Sequence, residues 1–588
     1  MFRILLVLQM LCWGAITTIC TGQSSMMPPF DIPHHWLDRY DILFETPTNL
    51  HTSVKPYWRK DIVALIYQLD SLHPDNSIVE DYQLQWLLDQ NNEWARVEPE
   101  VSTEKQYIDS TKTFYTLTST SSSHRVPSRS KKPFLKHFYK SPGQLFEVNT
   151  KDFFLRVNPL LNFRLAKDRY DDDGLLYENQ RGISIRGAID GKVYFHTDIL
   201  ESQARYPRYV RDFSSAFNVP GVGFKKTYES TIFDLNTGVD YLLANAYIGA
   251  SISKHVNIEL GHGRHFIGNG MRSLFLSDFS TDYFYLKLNT RVWKFQYQNI
   301  FGELLRSNNG QMGDALLPKK YFATHYLNFH VNKSIDIGLF ETVVFARENQ
   351  FELQYLNPII LYRTVEGSIG SPDNVLLGID LKANIRQRAS FYAQFILDEF
   401  KVSELFSGEG WWANKYGIQT GLKYLDLFGI PQLDVQLEYN AVRPYTYSHR
   451  EGIAHYSHYQ QSLAHPLGAN FREGLMKIFY QPSPKWSIVG RFMRMHTGED
   501  TDGLNWGSNI LEPNDVRVDD YHNKIAQGVD TKISTFGLDI SYELKQGFFL
   551  DLFFQSRNKN SMLDELDQQS QYFGSGIRWN LGRKWQAF

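Results

Sequence analysis

Leu433-Asp434-Val435-Gln436-Leu437-Glu438-Tyr439-Asn440 alternates apolar and polar side chains without a break. Successive side chains on a β-strand point to opposite faces, so this octet has one apolar face and one polar, partly charged face. The same period recurs on either side of it. Trp293, Phe295 and Tyr297 alternate with Lys294, Gln296 and Gln298. Val193, Phe195, Thr197 and Ile199 alternate with Tyr194, His196 and Asp198, and Leu550, Leu552 and Phe554 with Asp551 and Phe553. Clusters of Gly, Asn, Asp and Pro punctuate these runs, as hairpins require. From about Leu145 to Phe588 such segments dominate, which is too much strand for one soluble sandwich. At about 9–11 residues per transmembrane strand, with turns and long outer loops, the region suits about 16–18 strands. Closing them into a barrel leaves no edge unpaired in lipid. The expected fold class is all-β: a membrane barrel of about 16–18 antiparallel strands with a small N-terminal helical domain.

Composition agrees with a barrel. The 588 residues include 41 Phe, 34 Tyr and 12 Trp, yet mean hydropathy is only −0.37. Averaging over lipid-facing and lumen-facing residues hides the apolar half. Trp411 with Trp412, and Trp579 with Trp585, fit interfacial aromatic girdles. The 61 basic and 64 acidic residues give a net charge of −3, without the basic excess of a nucleic-acid binder. Met1-Phe2-Arg3, an apolar run from Ile4 to Leu11 and small residues through Gly22 read as a secretory signal peptide cut after Gly22. Acylation at Cys20, as in a lipoprotein, is the alternative. The only cysteines, Cys12 and Cys20, lie in that segment. The exported chain then has no disulfide, zinc–thiolate site or cysteine nucleophile.

The expected organisation is a signal peptide (1–22), a partly helical periplasmic region (23–101), a Ser/Thr-rich linker or loop (102–144) and the barrel (145–588). Arg59 to Leu72 places Ile62, Ile66 and Leu69 at helical spacing. Ser77 and Glu80 are spaced as a capping box, and Ile78, Tyr82 and Trp86 then recur every four residues. Two amphipathic helices need a surface, either each other or the periplasmic mouth of the barrel. Arg125, Arg129, Lys131 and Lys132 follow the hydroxyl-rich run, as a solvated loop or as a basic patch for lipid A or an acidic glycan. Barrel chains commonly end on an aromatic residue, and the last strand is expected to end at Phe588. However, Lys584 and Gln586 share its phase while Ile577, Trp579, Leu581 and Trp585 take the other, which calls for a tail or a bulge.

Two stretches carry more than fold. In Glu259 to Asp278, Gly261, Gly263, Gly268 and Gly270 allow tight turns and close backbone approach. His262, Arg264 and His265 between them, and Arg272 just beyond, are expected inside the barrel or at its mouth. No helix clearly follows, which argues against a dinucleotide loop. His262 and His265 fall on opposite faces of a strand, so they make no simple zinc pair. The second stretch runs from Tyr439 through Arg443-Pro444-Tyr445-Thr446-Tyr447-Ser448-His449 to His455, Tyr456, His458 and His465. It reads either as a hydrogen-bonded loop folded into the lumen or as a sugar contact; its histidines are spaced too loosely for a strong metal signal. Asp171, Asp172 and Asp173 look like a solvated turn next to Gly174. No serine or carboxylate pair stands in a catalytic frame, and no cofactor or metal is expected.

Gly261-His262-Gly263-Arg264 with Ile267 to Leu274, and Arg443 to His449 with Leu463 to Asn470, resemble the Wzi-type capsule assembly family of outer-membrane proteins, especially its RemB gliding-motility branch. Lys55-Pro56-Tyr57 is similar too. The resemblance implies an 18-stranded barrel with a helical bundle near the periplasmic mouth. It also implies one of two roles: attaching capsular polysaccharide, or serving surface motility. The leading expectation is a non-enzymatic outer-membrane barrel that binds surface polysaccharide through Arg443, Tyr445, Tyr447, His449, Tyr456 and His458. Trp411 and Trp412 form a second platform. The alternatives are an accessory subunit of an assembly, secretion or gliding complex, and a passive channel. The partners expected are outer-membrane lipid, surface polysaccharide and other outer-membrane proteins.

Overall fold

A computed structural model describes residues 25–27, 31–44, 50–73, 75–95, 125–171, 174–230, 235–306, 316–347, 350–370, 373–501 and 503–583. The proposed signal peptide and most of the Ser/Thr-rich run lie outside them. Eighteen antiparallel strands close into one barrel. They are β1 (Phe153–Asp168), β2 (Leu176–Ile189), β3 (Val193–Arg205), β4 (Leu235–Ser251), β5 (Val256–Gly263), β6 (Tyr283–Val292), β7 (Phe295–Leu305), β8 (Lys319–His330) and β9 (Ile335–Phe345). There follow β10 (Asn374–Ile385), β11 (Ala389–Glu399), β12 (Lys415–Tyr424), β13 (Leu433–Val442), β14 (Phe471–Ser483), β15 (Trp486–Glu499), β16 (Val529–Lys545), β17 (Phe548–Ser561) and β18 (Gln568–Trp579). Short turns join the strands at one end and long loops at the other, the asymmetry of an outer-membrane barrel with its short turns in the periplasm.

The octet of β13 shows why the fold belongs in a membrane. Leu437 and Tyr439 are 44% and 46% exposed, while Asp434 and Glu438 are 2% and 4% exposed. A soluble sheet would bury the first pair and expose the second. The same inversion exposes Ile199, Leu242, Ile248, Leu339, Ile379 and Leu552 on other strands.

Three helices fill the periplasmic end: α1 (Asp31–Phe44), α2 (Arg59–Leu72) and α3 (Ile78–Gln90). Leu37, Ile62, Ile66, Leu69, Leu84 and Leu87 form their shared core, which continues onto Phe479 and Val489 of the wall. Ser77 and Glu80 form the capping box. Ile78, read as part of an apolar stripe, is exposed instead. Ion pairs bind the helices to inward-facing wall residues: Arg39 to Asp434 at 2.7 Å, Lys423 to Asp38 at 2.6 Å and Arg186 to Glu93 at 2.8 Å. Arg125 pairs with Asp70 at 3.1 Å and Asp81 at 2.8 Å, on α2 and α3. That corrects its reading as part of a patch for lipid A or a glycan, because it is committed to the helices at the opposite end of the barrel.

The last strand ends at Trp579 and not at Phe588. It pairs with β1 from Leu161 to Asp168. Further along that edge, Phe154 to Val157 is taken by the chain's own Phe146–Asn149. With that part of its partner edge occupied, the final strand stops early. Residues 580–583 turn inward, and Arg583 Nη2 donates to Ser541 Oγ at 2.7 Å. Phe588 and Trp585 lie outside the described residues.

Candidate functional site

The long loop between β5 and β6 (264–282) does not rise from the barrel but descends into it. Phe266 and Ile267 pair with Lys55 and Val54 of the N-terminal region, and the Gly268 amide donates to Ser53 O at 2.7 Å. An outer loop and the helical plug therefore meet inside the lumen. The glycines explain the close approach. Gly268 has φ +145°, and a Cβ on Gly270 would stand 2.5 Å from Glu438 Oε2 and 2.7 Å from the Arg272 carbonyl. In that space the amides of Met271 and Arg272 donate to the Glu438 carboxylate at 2.6 and 3.1 Å. Arg272 also pairs with Glu473 at 3.2 Å. Gly261 and Gly263 lie on β5 and make room for Tyr285 and Asn245. Arg264 pairs with Asp282 at 2.8 Å. His265 faces inward beside Tyr283. His262 lies with Leu260 on the outward phase of β5 and is exposed, so of its two expected places, inside the barrel or at its mouth, the first is overturned.

The second motif, in the loop after β13 (443–470), folds over the first. Tyr447 OH donates to Leu274 O at 2.8 Å, and the Tyr447 amide to Asp398 Oδ2 at 2.7 Å. The rings of Tyr447 and Tyr456 stack with centroids 5.9 Å apart. His458 Nδ1 accepts from the Leu305 amide at 3.0 Å, and its Nε2 donates to Asp282 O at 3.1 Å. His465 pairs with Glu473 at 2.8 Å. Tyr445 OH donates to Asn505 O at 3.0 Å. Burial, with Lys320 nearby, pushes the His455 and His458 imidazoles down to about 3. They sit in the plug as neutral groups.

The eight sequence-predicted contacts therefore separate into two layers. Tyr445, Tyr447, Tyr456 and His458 are buried in the plug. Arg443, His449, Trp411 and Trp412 are half-buried above it. Arg443 Nη2 donates to Trp411 O at 3.2 Å. Trp411 and Trp412 lie 6.1 Å apart, and Trp412 meets Tyr445 edge-on at 6.3 Å. The Arg517 guanidinium lies 4.0 Å from the centre of the Trp412 ring, a stacking that no sequence motif announces. Asp171, read as solvated, is buried and paired with Arg205 at 3.1 Å and Arg211 at 2.7 Å. Among the described residues no three His, Cys, Asp or Glu side chains group to hold a metal ion.

No family model and no curated protein sequence matches the chain. Among solved structures it is similar to Wzi of Escherichia coli, an outer-membrane protein involved in group 1 capsule assembly and a carbohydrate-binding β-barrel. The match covers 96% of this chain and all of that one, at 12% identity and a TM-score of 0.55. This chain has the Wzi fold. Weaker likenesses reach OprD and OpdK of Pseudomonas aeruginosa. These are 10% and 9% identical, each with a TM-score of 0.40, and cover 72% of this chain and 94% and 98% of theirs. With its closed 18-stranded wall and apolar outer belt, the protein is an outer-membrane barrel of a Gram-negative bacterium.

Proposed function

We propose that this barrel is a non-enzymatic surface protein that holds an extracellular polysaccharide on its outer loops. The observation that carries this reading is the double closure of the lumen, by α1–α3 from below and by loops 264–282 and 443–470 from above. A cavity of about 390 Å³ remains beside these elements along the wall of β1–β4 and β16–β18, but closure from both ends favours work at the outer rim over passage. Trp411 and Trp412, with Arg443, His449 and Arg517 beside them, supply ring faces for sugars and donors for their hydroxyl or acidic groups. The Tyr and His residues beneath them hold that rim in place. The Wzi fold, known in a carbohydrate-binding protein, supports the same reading. The test is retention of surface polysaccharide in cells carrying Trp411→Ala with Trp412→Ala. Polysaccharide shed into the medium at an unchanged level of folded barrel is expected. Full retention there, and in a strain lacking the protein, would overturn the proposal.

A second reading, an accessory subunit of an outer-membrane assembly or gliding complex, draws on the outer wall. Loop 346–373 lies against β7–β9, with the Arg363 amide donating to Glu341 at 3.2 Å, and holds Ile359 and Leu361 outward. Stoichiometric recovery of another outer-membrane protein from mild detergent, lost on shortening this loop, favours that reading. A passive channel predicts steady conductance in planar bilayers, and the double closure predicts little.

A further inference from the structure

A cavity of about 150 Å³ lies between the helical plug and the wall at the periplasmic end. Pro33 of α1, Trp86 of α3 and Gly547 of the β16–β17 turn are on its lining. Four arginines face it, Arg59, Arg186, Arg578 and Arg583, against one carboxylate, Asp198. Two of the four are held by carboxylates. Arg186 bonds Glu93 and the Gln90 carbonyl, and Arg578 bonds Asp551 and the Leu581 carbonyl. The other two keep donors open. Arg59 is 3% exposed; its Nη1 donates to the Gln90 carbonyl at 3.1 Å and to Asn91 Oδ1 at 2.8 Å, while its Nε has no hydrogen-bond partner among the described residues. The Arg583 side chain is 6% exposed, and neither its Nε nor its Nη1 has one; Nη1 stands 3.6 Å from Asp539.

Buried guanidinium donors without acceptors are costly, so native structures supply a partner. The space is several times the share of one water. Trp36, Trp86 and Leu160 complete the lining with apolar surface, which lowers the local dielectric and strengthens any charge pairing there. Burial, and then Arg186, brings Arg59 down to about 9, and burial lowers Arg583 as well. Glu93 acts on Arg59, and Asp539 and Asp551 act on Arg583, but none of these carboxylates hydrogen-bonds the open Nε and Nη1 donors.

We infer that this cavity is an anion site, in which Arg59 and Arg583 grip one compact oxyanion reaching it from the periplasmic side. The ligand class is a phosphate group or the carboxylate of an acidic sugar. The site is separate from the extracellular rim and does not depend on the polysaccharide proposal.

The experiment is calorimetric titration of the full-length, detergent-solubilised barrel with inorganic phosphate and, separately, with glucuronate. Saturable binding of at least one is expected. Arg583→Gln and Arg59→Gln should each weaken it about tenfold or more, the loss of a charge-assisted hydrogen bond. Arg583→Lys keeps the charge without the fork and should fall between. Arg208→Gln, on an exposed outer-loop arginine, should bind as the native protein does. Arg583 stands on the terminal tail and Arg59 on a plug helix, so one variant remains informative if the other does not fold. Binding of phosphate alone or glucuronate alone identifies the group recognised. Absence of binding by both, or affinity unchanged in both Gln variants, overturns the inference.

Discussion

Two long loops at the same end of this barrel take opposite courses. Loop 264–282 enters the lumen, and the loop after β9, described over 350–370, bends outward and lies on the wall. Each goes where polar groups await it on an otherwise unsuitable face. The inward loop meets Glu438 on β13 and Gln394 on β11, which take the amides of Met271, Arg272 and Leu274. The outward loop meets Asn299, His325 and Glu341, which occupy the outward phase of β7–β9 where their neighbours are apolar. Tyr297 OH and Asn299 Nδ2 both donate to the Pro358 carbonyl, at 2.5 and 3.1 Å. The His325 ring lies 4.0 Å from that of Tyr362. Bare in lipid, these groups would be heavily penalised. On β7–β9, polar residues on the lipid-facing phase mark a covered wall, and on β13 the lumen-facing Glu438 marks a bound plug.

Acid should separate the two courses most strongly. His455 and His458 titrate near 3 in the folded loop, against about 6.5 when solvated. Because the folded values are depressed, the closed loop keeps its full stability above about pH 6.5. It loses stability as pH falls toward 3, where the opened loop binds protons that the closed one refuses. Each imidazole then disfavours closure by on the order of 3 kcal/mol by pH 4. Planar-bilayer recordings should show rare opening at pH 7.5 and frequent, reversible opening near pH 4. Equal silence at both values would mean that these imidazoles do not hold the loop. Next in size is Glu438→Leu. It leaves the buried amides of Met271 and Arg272 without an acceptor, at a cost of roughly 4 kcal/mol. Protease cleavage within 264–282 in intact cells should appear in this variant and be absent from the native barrel.

Much of this was readable beforehand. The alternation of Leu433 to Asn440 gives the barrel, because a period of two on both a greasy and a charged face has few other solutions. The spacing of Ile62, Ile66 and Leu69 gives α2. Helix α1 is hard to read although Ile32, Trp36 and Tyr40 recur every four residues, because Pro33 and the His34–His35 pair obscure the pattern; proline is tolerated in a first turn. The end of β18 is not legible in sequence, because local phase cannot reveal that Phe146–Asn149 occupies part of its partner's edge. At the rim, Arg443, Tyr447 and His458 stood in one motif, yet burial divides them. A tyrosine that stacks on a sugar and one that fills a plug have the same neighbours in sequence. Only the descent of loop 264–282 beneath them, a contact remote along the chain, separates the two.

The smallest effect is expected on the outer wall, and it tests the comparison most directly. His325→Leu removes a polar group from the outward phase of β8 and replaces it with one that lipid accepts. The ring contact with Tyr362 and the 3.8 Å approach to the Glu341 carboxylate are lost, and the wall beneath the loop becomes more apolar. The net change in barrel stability should stay within about 1 kcal/mol, because the lost packing and the gained lipid compatibility offset each other. Hydrogen exchange should rise in 350–370 while the inward loops keep their protection and conductance stays low. If exchange rose in 264–282 as well, the two loops would be one cooperative unit, and the wall's outer polar groups would be helping to hold the lumen closed. If exchange in 350–370 did not change, His325 would not be what retains the loop, and the bonds to Pro358 and Glu341 would suffice.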